Sequence, residues 1–390
     1  MLTLDNTGST NVQINVANGG RNVAAGTLPV LLMDSVDIVS VLANGSSLAL
    51  GTITVNSGAS NSGNLTITNS SLTGGSPTTV FGGAISDGAG TIALVNTAGF
   101  SSLDAANTYT GATTISGGTI KLGTFGSLAN GTSVGIAAGA TFDLTAKTAA
   151  SATYTWNAAS LSASGTATAA TMSGTAGGTI AMGATPITLT TNGTNPSLTV
   201  TGAALSLGGN QFTVKVPGSA LGAGVYTLVS AASITGTVNP TALYTGGNGL
   251  VGGATGVVSI SGSTVILTVS TSPTYASWAS THAGSGASSA DFDNDGVSNG
   301  VEYFMNITTP GFTANPALNG SNTITWTNGG NIPPSAYGTQ YVVQTSSDLV
   351  NWTNVPSGSL TTNTAGPGGA LTYILTGTAP RFVRLKVTPN

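Results

Sequence analysis

From residue 1 to about 204, apolar residues recur at every second position in short runs, and nearly every run ends on Gly, Asn or Ser. Ile53-Thr-Val55, Leu65-Thr-Ile67, Val134-Gly-Ile136 and Phe142-Asp-Leu144 show the pattern. Such alternation makes each run a strand with one buried face, and the spacers are residues that turn sharply. No helical periodicity competes over this stretch, and Pro is sparse, which leaves strand edges free to pair. With 57 Gly in 390 residues, long helices are disfavoured while tight turns come easily. The chain is therefore expected to be all-β.

Charge sets the second constraint. Only 5% of residues are Asp, Glu, Lys or Arg, against roughly 25% in ordinary soluble domains. Between Lys147 and Asp291 the one charged side chain is Lys215. Hydrophobic residues make up 40%, so a sizeable core is within reach and bulk disorder is not expected. A surface this short of charge has little to keep it dispersed, so much of it is expected to be covered by other subunits. Seven Lys and Arg in all cannot form a basic patch, which argues against nucleic acid as a partner. The absence of Cys removes disulfide and thiolate chemistry. No run approaches the roughly 18 consecutive apolar residues of a membrane-spanning helix. Residues 1–15 lack the basic start and apolar run of a signal peptide, and Met1-Leu-Thr-Leu-Asp5 reads like the middle of a strand. A mature product or a fragment of something longer is expected.

Internal repetition points to a solenoid. Gly117-Gly-Thr-Ile-Lys-Leu-Gly123 recurs as Gly177-Gly-Thr-Ile-Ala-Met-Gly183, and Ser259-Ile-Ser-Gly-Ser-Thr-Val-Ile-Leu267 is a looser echo of Thr114–Leu122. The first two copies lie 60 residues apart, the length of about three coils of near 20 residues each. A coil buries its apolar side chains only against the coils on either side, so the stack ends in unpaired edges. Residues 81–90, Phe-Gly-Gly-Ala-Ile-Ser-Asp-Gly-Ala-Gly, and 106–123, with the core Asn107-Thr-Tyr-Thr-Gly-Ala-Thr113, resemble the autotransporter-associated β-strand repeat of bacterial surface proteins. That resemblance implies a right-handed parallel β-helix displayed outside the cell. It covers Phe81 to near Leu144 and departs from the usual pattern between Val95 and Asp104. The membrane β-barrel of true autotransporters is missing from the sequence.

The expected order is a solenoid over 1–204, then last coils and cap or a small β-sandwich over 205–272. A linker with a metal loop follows over 273–310, and an antiparallel β-sandwich over 311–390. Leu205–Val216 reads as two strands across a Gly-Gly-Asn turn. Thr323–Thr327, Tyr341–Thr345, Leu371–Leu375 and Phe382–Val387 carry the antiparallel tail, with Val383, Leu385 and Val387 on one face.

One segment carries a site signature. Asp291-Phe-Asp-Asn-Asp-Gly-Val-Ser-Asn-Gly-Val-Glu302 fits the EF-hand calcium pattern without a mismatch. Hard Ca²⁺ takes several oxygen ligands, and this spacing wraps them around one point. Asp291, Asp293 and Asp295 supply carboxylates, Val297 its backbone carbonyl, Asn299 a direct or water-mediated ligand, and Glu302 a bidentate carboxylate, while Gly296 permits the turn. Glu302 is the sole Glu in the chain. The loop, with Trp278 and Glu302-Tyr-Phe304, also resembles the calcium loops of thrombospondin type 3 repeats, and Thr345–Trp352 with Phe382–Leu385 resembles the small β-domain that follows such loops in bacterial secreted proteins. The ion is expected to lock the junction between rod and tail rather than to regulate.

Three functions are compatible with these features. The first is a non-enzymatic extracellular or cell-surface structural protein that polymerises through β-edge contacts. The second is a monomeric adhesin that binds glycans through Trp326, Trp352, Tyr337 and Tyr341. The third is a secreted polysaccharide lyase or hydrolase using Asp34 with Asp37, or Asp87, Asp104 and Asp143. The lone His282 lies beside the calcium loop and is expected to be a junction residue. The string Gly247-Asn-Gly-Leu-Val-Gly252 is expected to be a turn, because no helical pattern follows it.

Overall fold

The computed structural model describes residues 2–5, 11–16, 23–25, 29–40, 47–59, 64–70, 78–251, 254–271, 273–309, 311–365, 369–377 and 382–390. The chain divides into two units: Met1–Val251 with Thr255–Ser270, and Gly252–Ala254 with Thr271–Asn390.

The first unit is a β-solenoid. One face is a ten-stranded sheet running from Val12–Val16 to Leu243–Gly247, and a second is an eleven-stranded sheet that begins at Val23–Ala25. A third face carries two four-stranded sheets, Leu2–Leu4 to Ile85–Gly88 and Thr153–Thr155 to Ile234–Val238. Among the described strands, pairing is parallel until Thr264–Thr271 lies antiparallel on Gly224–Ala231. Coils therefore continue through residues 205–247, and the hairpin Ala254–Ser261 with Thr264–Thr271 ends the second sheet.

Stacking in register makes the core. Leu65 pairs with Ile92, Val134 with Leu161, Leu161 with Ile187 and Ile187 with Phe212, and all six of these side chains are buried. Like sits on like, so each coil presents the apolar floor that the next one needs.

The coils are not of one length. Leu94 pairs with Thr113, a coil of 19 residues, whereas Val36 pairs with Ile67, a coil of 31. The expected uniform period near 20 is corrected accordingly, and the repeated heptapeptides do not stack. Thr119–Leu122 lies in the eleven-stranded sheet, while Thr179–Ala181 lies on the third face. What the two copies share is a corner. A Cβ on Gly118 would meet the Gly99 carbonyl at 2.0 Å, and one on Gly178 would meet the Thr148 carbonyl at 2.4 Å. The echo at Ser259–Leu267 makes a hairpin instead, turning at Gly262 with φ 58°. Leu205–Val216 likewise bends at a corner: Ala204–Asn210 and Phe212–Val216 belong to different sheets.

The residues that carry the repeat resemblance clip neighbouring coils together. Asn107 is buried; its carbonyl accepts from Ile85 N–H at 2.9 Å, and its amide donates to the Ala105 and Ser127 carbonyls, each at 2.9 Å. Asp87 accepts from Ile92 N–H at 2.8 Å and from Thr110 N–H at 2.9 Å. Tyr109 is fully buried against the Thr113 hydroxyl at 2.7 Å, and desolvation pushes its pKa up. A second buried polar set joins Asn69, Asn96, Ser101 and Thr79, with Asn69 donating to Asn96 at 2.7 Å and Thr79 donating to Asn69 at 2.9 Å. Buried amides are tolerated here because each finds its partners in the adjoining coil.

The second unit has two short helices, α1 (Tyr275–His282) and α2 (Asn299–Met305), and two three-stranded antiparallel sheets. Thr323–Thr327, Ala370–Ile374 and Thr362–Asn363 form one sheet; Thr353–Asn354, Tyr341–Ser346 and Phe382–Val387 form the other. Both sheets and both helices contribute to one hydrophobic cluster, with Trp278, Phe304, Trp326, Tyr341 and Leu385 among its members. Trp278, Val297, Val301 and Phe304 thus make the segment 273–309 part of this unit's core. The alternation in Phe382–Val387 holds, with Leu385 and Val387 buried and Arg384 and Lys386 exposed.

Asn107→Ala removes one acceptor and two donors at a buried site, and is expected to destabilise the solenoid by about 3 kcal/mol. Denaturant unfolding followed by far-UV circular dichroism measures the difference.

Candidate metal centre

α1 starts at an N-cap, with the Thr274 hydroxyl accepting from Ser277 N–H at 3.2 Å. Its Trp278 donates from the indole to the Ile307 carbonyl at 2.9 Å and lies 5.7 Å from the Tyr303 ring, so α1 is fixed against α2 and the segment that follows it. His282 stacks on Trp278 at 5.3 Å, and its Nδ1 lies 2.9 Å from the Trp278 carbonyl. That is a packing role within the helix.

The acidic loop runs between the two helices. Asn294 has φ 59° and Gly296 φ 89°, both in the left-handed region, and these turns fold the loop back on itself. Asp291 accepts from Asp295 N–H at 3.2 Å and from Gly296 N–H at 2.8 Å, and Asp295 accepts from Val297 N–H at 2.7 Å. As a result Asp291, Asp293 and Asp295 each bring a carboxylate oxygen within 4.8 Å of the others.

Glu302, on α2, lies near this triad and shares Thr313 with Asp295. It is 5% exposed, accepts from the Thr313 hydroxyl at 3.0 Å, and has its pKa raised by burial first, then by repulsion from Asp293, Asp295 and Asp291. Three carboxylates are thereby held together by backbone hydrogen bonds, with Glu302 nearby, at an electrostatic cost that a cation would cancel. Asp293 supplies the most specific sign: its Oδ2 accepts from Gly311 N–H at 2.9 Å, while its Oδ1 is buried without a hydrogen-bond partner among the described residues. The three Asp carboxylates could hold a metal ion, and an all-oxygen donor set suits a hard divalent cation.

Asn299 and Val297 also tie the loop to its surroundings. The Asn299 side chain is wholly buried, its Oδ1 accepting from Phe292 N–H at 3.0 Å and its amide donating to the Ala287 carbonyl at 3.0 Å. It braces the loop. Val297 is anchored by its buried side chain in the hydrophobic cluster and by its N–H on Asp295. The segment 283–290 also separates α1 from Asp291, where an EF-hand helix would enter the loop directly. The sequence reading missed Gly311 and Thr313. Thr313 N–H also donates to Asp295, so this segment closes over three of the carboxylates. No spacing rule marks it, because it lies 18 residues beyond its partners.

Asp87 is spent on coil-to-coil hydrogen bonds. Asp34 precedes the strand Val36–Ser40 rather than lying in it, and Asp37 accepts from Asn11 at 3.0 Å. In the tail, Trp326 and Tyr341 are core residues, Tyr337 donates to the Val355 carbonyl at 2.7 Å, and Trp352 lies beneath the Arg384 guanidinium at 4.0 Å. These four rings do not make one open aromatic face. Gly247 ends a strand with φ 91°, as turn chemistry requires.

Calcium at about a hundred times its Kd is expected to stabilise the second unit by about 2.7 kcal/mol. Asp293→Ala abolishes that gain in a thermal melt with and without chelator. The sign for Glu302 follows from its raised pKa. The folded state holds the proton more tightly than the unfolded state, so metal-free stability falls as pH rises from 4.5 through the folded-state pKa. In chelator at pH 7, Glu302→Gln is therefore expected to melt higher than wild type, with the difference gone below about pH 4. In millimolar calcium the order reverses.

No family model, curated protein or solved structure matches this chain.

Proposed function

We propose that this chain is a non-enzymatic structural protein of a bacterial cell surface or extracellular layer, polymerising through the strand edges of its solenoid and stiffened by calcium. In this reading the coil is right-handed, as connections between parallel strands almost always are. The loop Asp291–Glu302 holds Ca²⁺ in an EF-hand-like manner, and the two tail sheets make a small β-sandwich after the autotransporter-associated repeat.

The observation that carries the reading is an open edge on a charge-poor rod. Among the described strands, Val12–Val16 pairs on one side alone, with Val36–Ser40. Val12 and Ile14 are half-buried, whereas Val36 and Ile38 in the adjoining coil are buried. Natural edges are usually blunted by Lys, Pro or a bulge, and Val-Gln-Ile-Asn-Val has none of these. With 5% charged residues over the whole chain, repulsion between copies is weak. A strand of a second copy would complete the sheet by backbone hydrogen bonds.

The backbone phase supplies the test. Val12 N–H donates to the Ser35 carbonyl at 2.9 Å, so in a parallel ladder Val12, Ile14 and Val16 face the inner neighbour and Asn15 N–H faces outward. Asn15→Pro removes an outward donor and leaves the inner ladder intact. In millimolar calcium the native chain is expected to give polymers by light scattering and fibres or sheets by negative-stain imaging, and Asn15→Pro to give dispersed particles. A native chain that stays monomeric overturns the proposal.

A further inference from the structure

The few charges of the solenoid are not spread evenly. Ser102, Lys121 and Asp143 are register partners across three successive coils of the eleven-stranded sheet. Their neighbours Ile120, Leu122 and Phe142 are buried, so strand alternation places all three on the outer face. Asp104 follows the same strand as Ser102 and accepts its hydroxyl. Lys147 lies beside them, its Nζ donating to the Thr124 carbonyl at 2.8 Å. Between Lys147 and the end of the unit at Ser270 the one other charge is Lys215, so two carboxylates and two ammoniums in one patch are a concentration, not a sample of the surface.

Beside them is a groove of about 440 Å³, lined by Phe100, Ser102, Asp104, Lys121 and Phe125. Phe125 is 83% exposed, the reverse of what a free aromatic ring prefers. The loop does not allow it to turn inward. Lys147 holds Thr124, Gly126 N–H donates to the Gly123 carbonyl at 3.0 Å, and Ser127 N–H donates to the Ala105 carbonyl at 3.2 Å. Gly123 is required for the groove's shape, since a Cβ there would meet Asp104 Oδ1 at 2.2 Å.

We infer that this outer-face groove binds a neutral oligosaccharide. An aromatic ring held open to solvent offers a face for the C–H side of a sugar ring, while a carboxylate and an ammonium lining the same groove suit its hydroxyl groups. Asp104 and Lys121, the two charged residues lining the groove, cancel, which favours an uncharged glycan over an anionic one. Sheet edges take no part, so the site is independent of polymerisation. It would give a surface rod a lateral hold on a polysaccharide matrix.

Affinity electrophoresis of the full chain in calcium, through gels containing soluble glucan, mannan, xylan or chitin oligosaccharides and, separately, polygalacturonate, is the test. Retardation by at least one neutral glycan is expected, weakened about tenfold by Phe125→Ala and by Asp104→Asn. Val225→Ala, at a 63% exposed position elsewhere on the solenoid, should leave it unchanged. Phe125 is exposed, so its loss does not threaten folding. No retardation by any neutral glycan, retardation by polygalacturonate alone, or equal retardation of the Phe125→Ala protein overturns the inference.

Discussion

Everything in the solenoid depends on register between successive coils. Parallel pairing puts Val134 on Leu161, Leu161 on Ile187 and Ile187 on Phe212, and a slip of one residue in any of them would turn an apolar row to the outside. Inward apolar side chains penalise such slips, but they do not choose among coils of 19 and 31 residues. The buried polar residues supply that choice. Asn107 contacts residues 85, 105 and 127, and Asn69 with Asn96 joins two coils from inside. A buried amide without its partner costs more than a misplaced methyl, so these positions fix which loop length is tolerated.

The second unit rests on a different balance. Its two helices are too short to persist alone and are held by aromatic packing among Tyr275, Trp278 and Tyr303, with ring separations of 5.5 to 6.0 Å. That packing, with the Asn299 brace, holds three carboxylates together with Glu302 nearby. Electrostatic strain is thereby stored by hydrophobic burial, and the orphaned Asp293 oxygen marks where a cation would relieve it. A cation bound there would stabilise the same unit as the core does.

A shortage of charge links the two units to the proposed role. Where ionisable groups occur they are concentrated: in the acidic loop, in the coil clips such as Asp87, and in the outer-face patch around Lys121. Between Lys147 and Ser270 the solenoid carries Lys215 as its one charge, so repulsion between copies over that stretch is weak.

The sequence alone determined the all-β class, the tail strands and the acidic loop, because period-two burial and the twelve-residue ligand spacing are local patterns. It also marked Asn107–Thr113, although not that these residues act as clips. Coil boundaries escaped it: the two Gly-Gly-Thr-Ile copies look alike because both turn a corner, and which corner depends on the length of chain between contacts. Gly311 and Thr313 were equally hidden, since nothing in their own neighbourhood shows that they close over carboxylates 18 residues away. Tertiary structure decided those matters because they are set by residues distant in sequence finding one another, where hydrogen-bond satisfaction rather than local periodicity selects the partner.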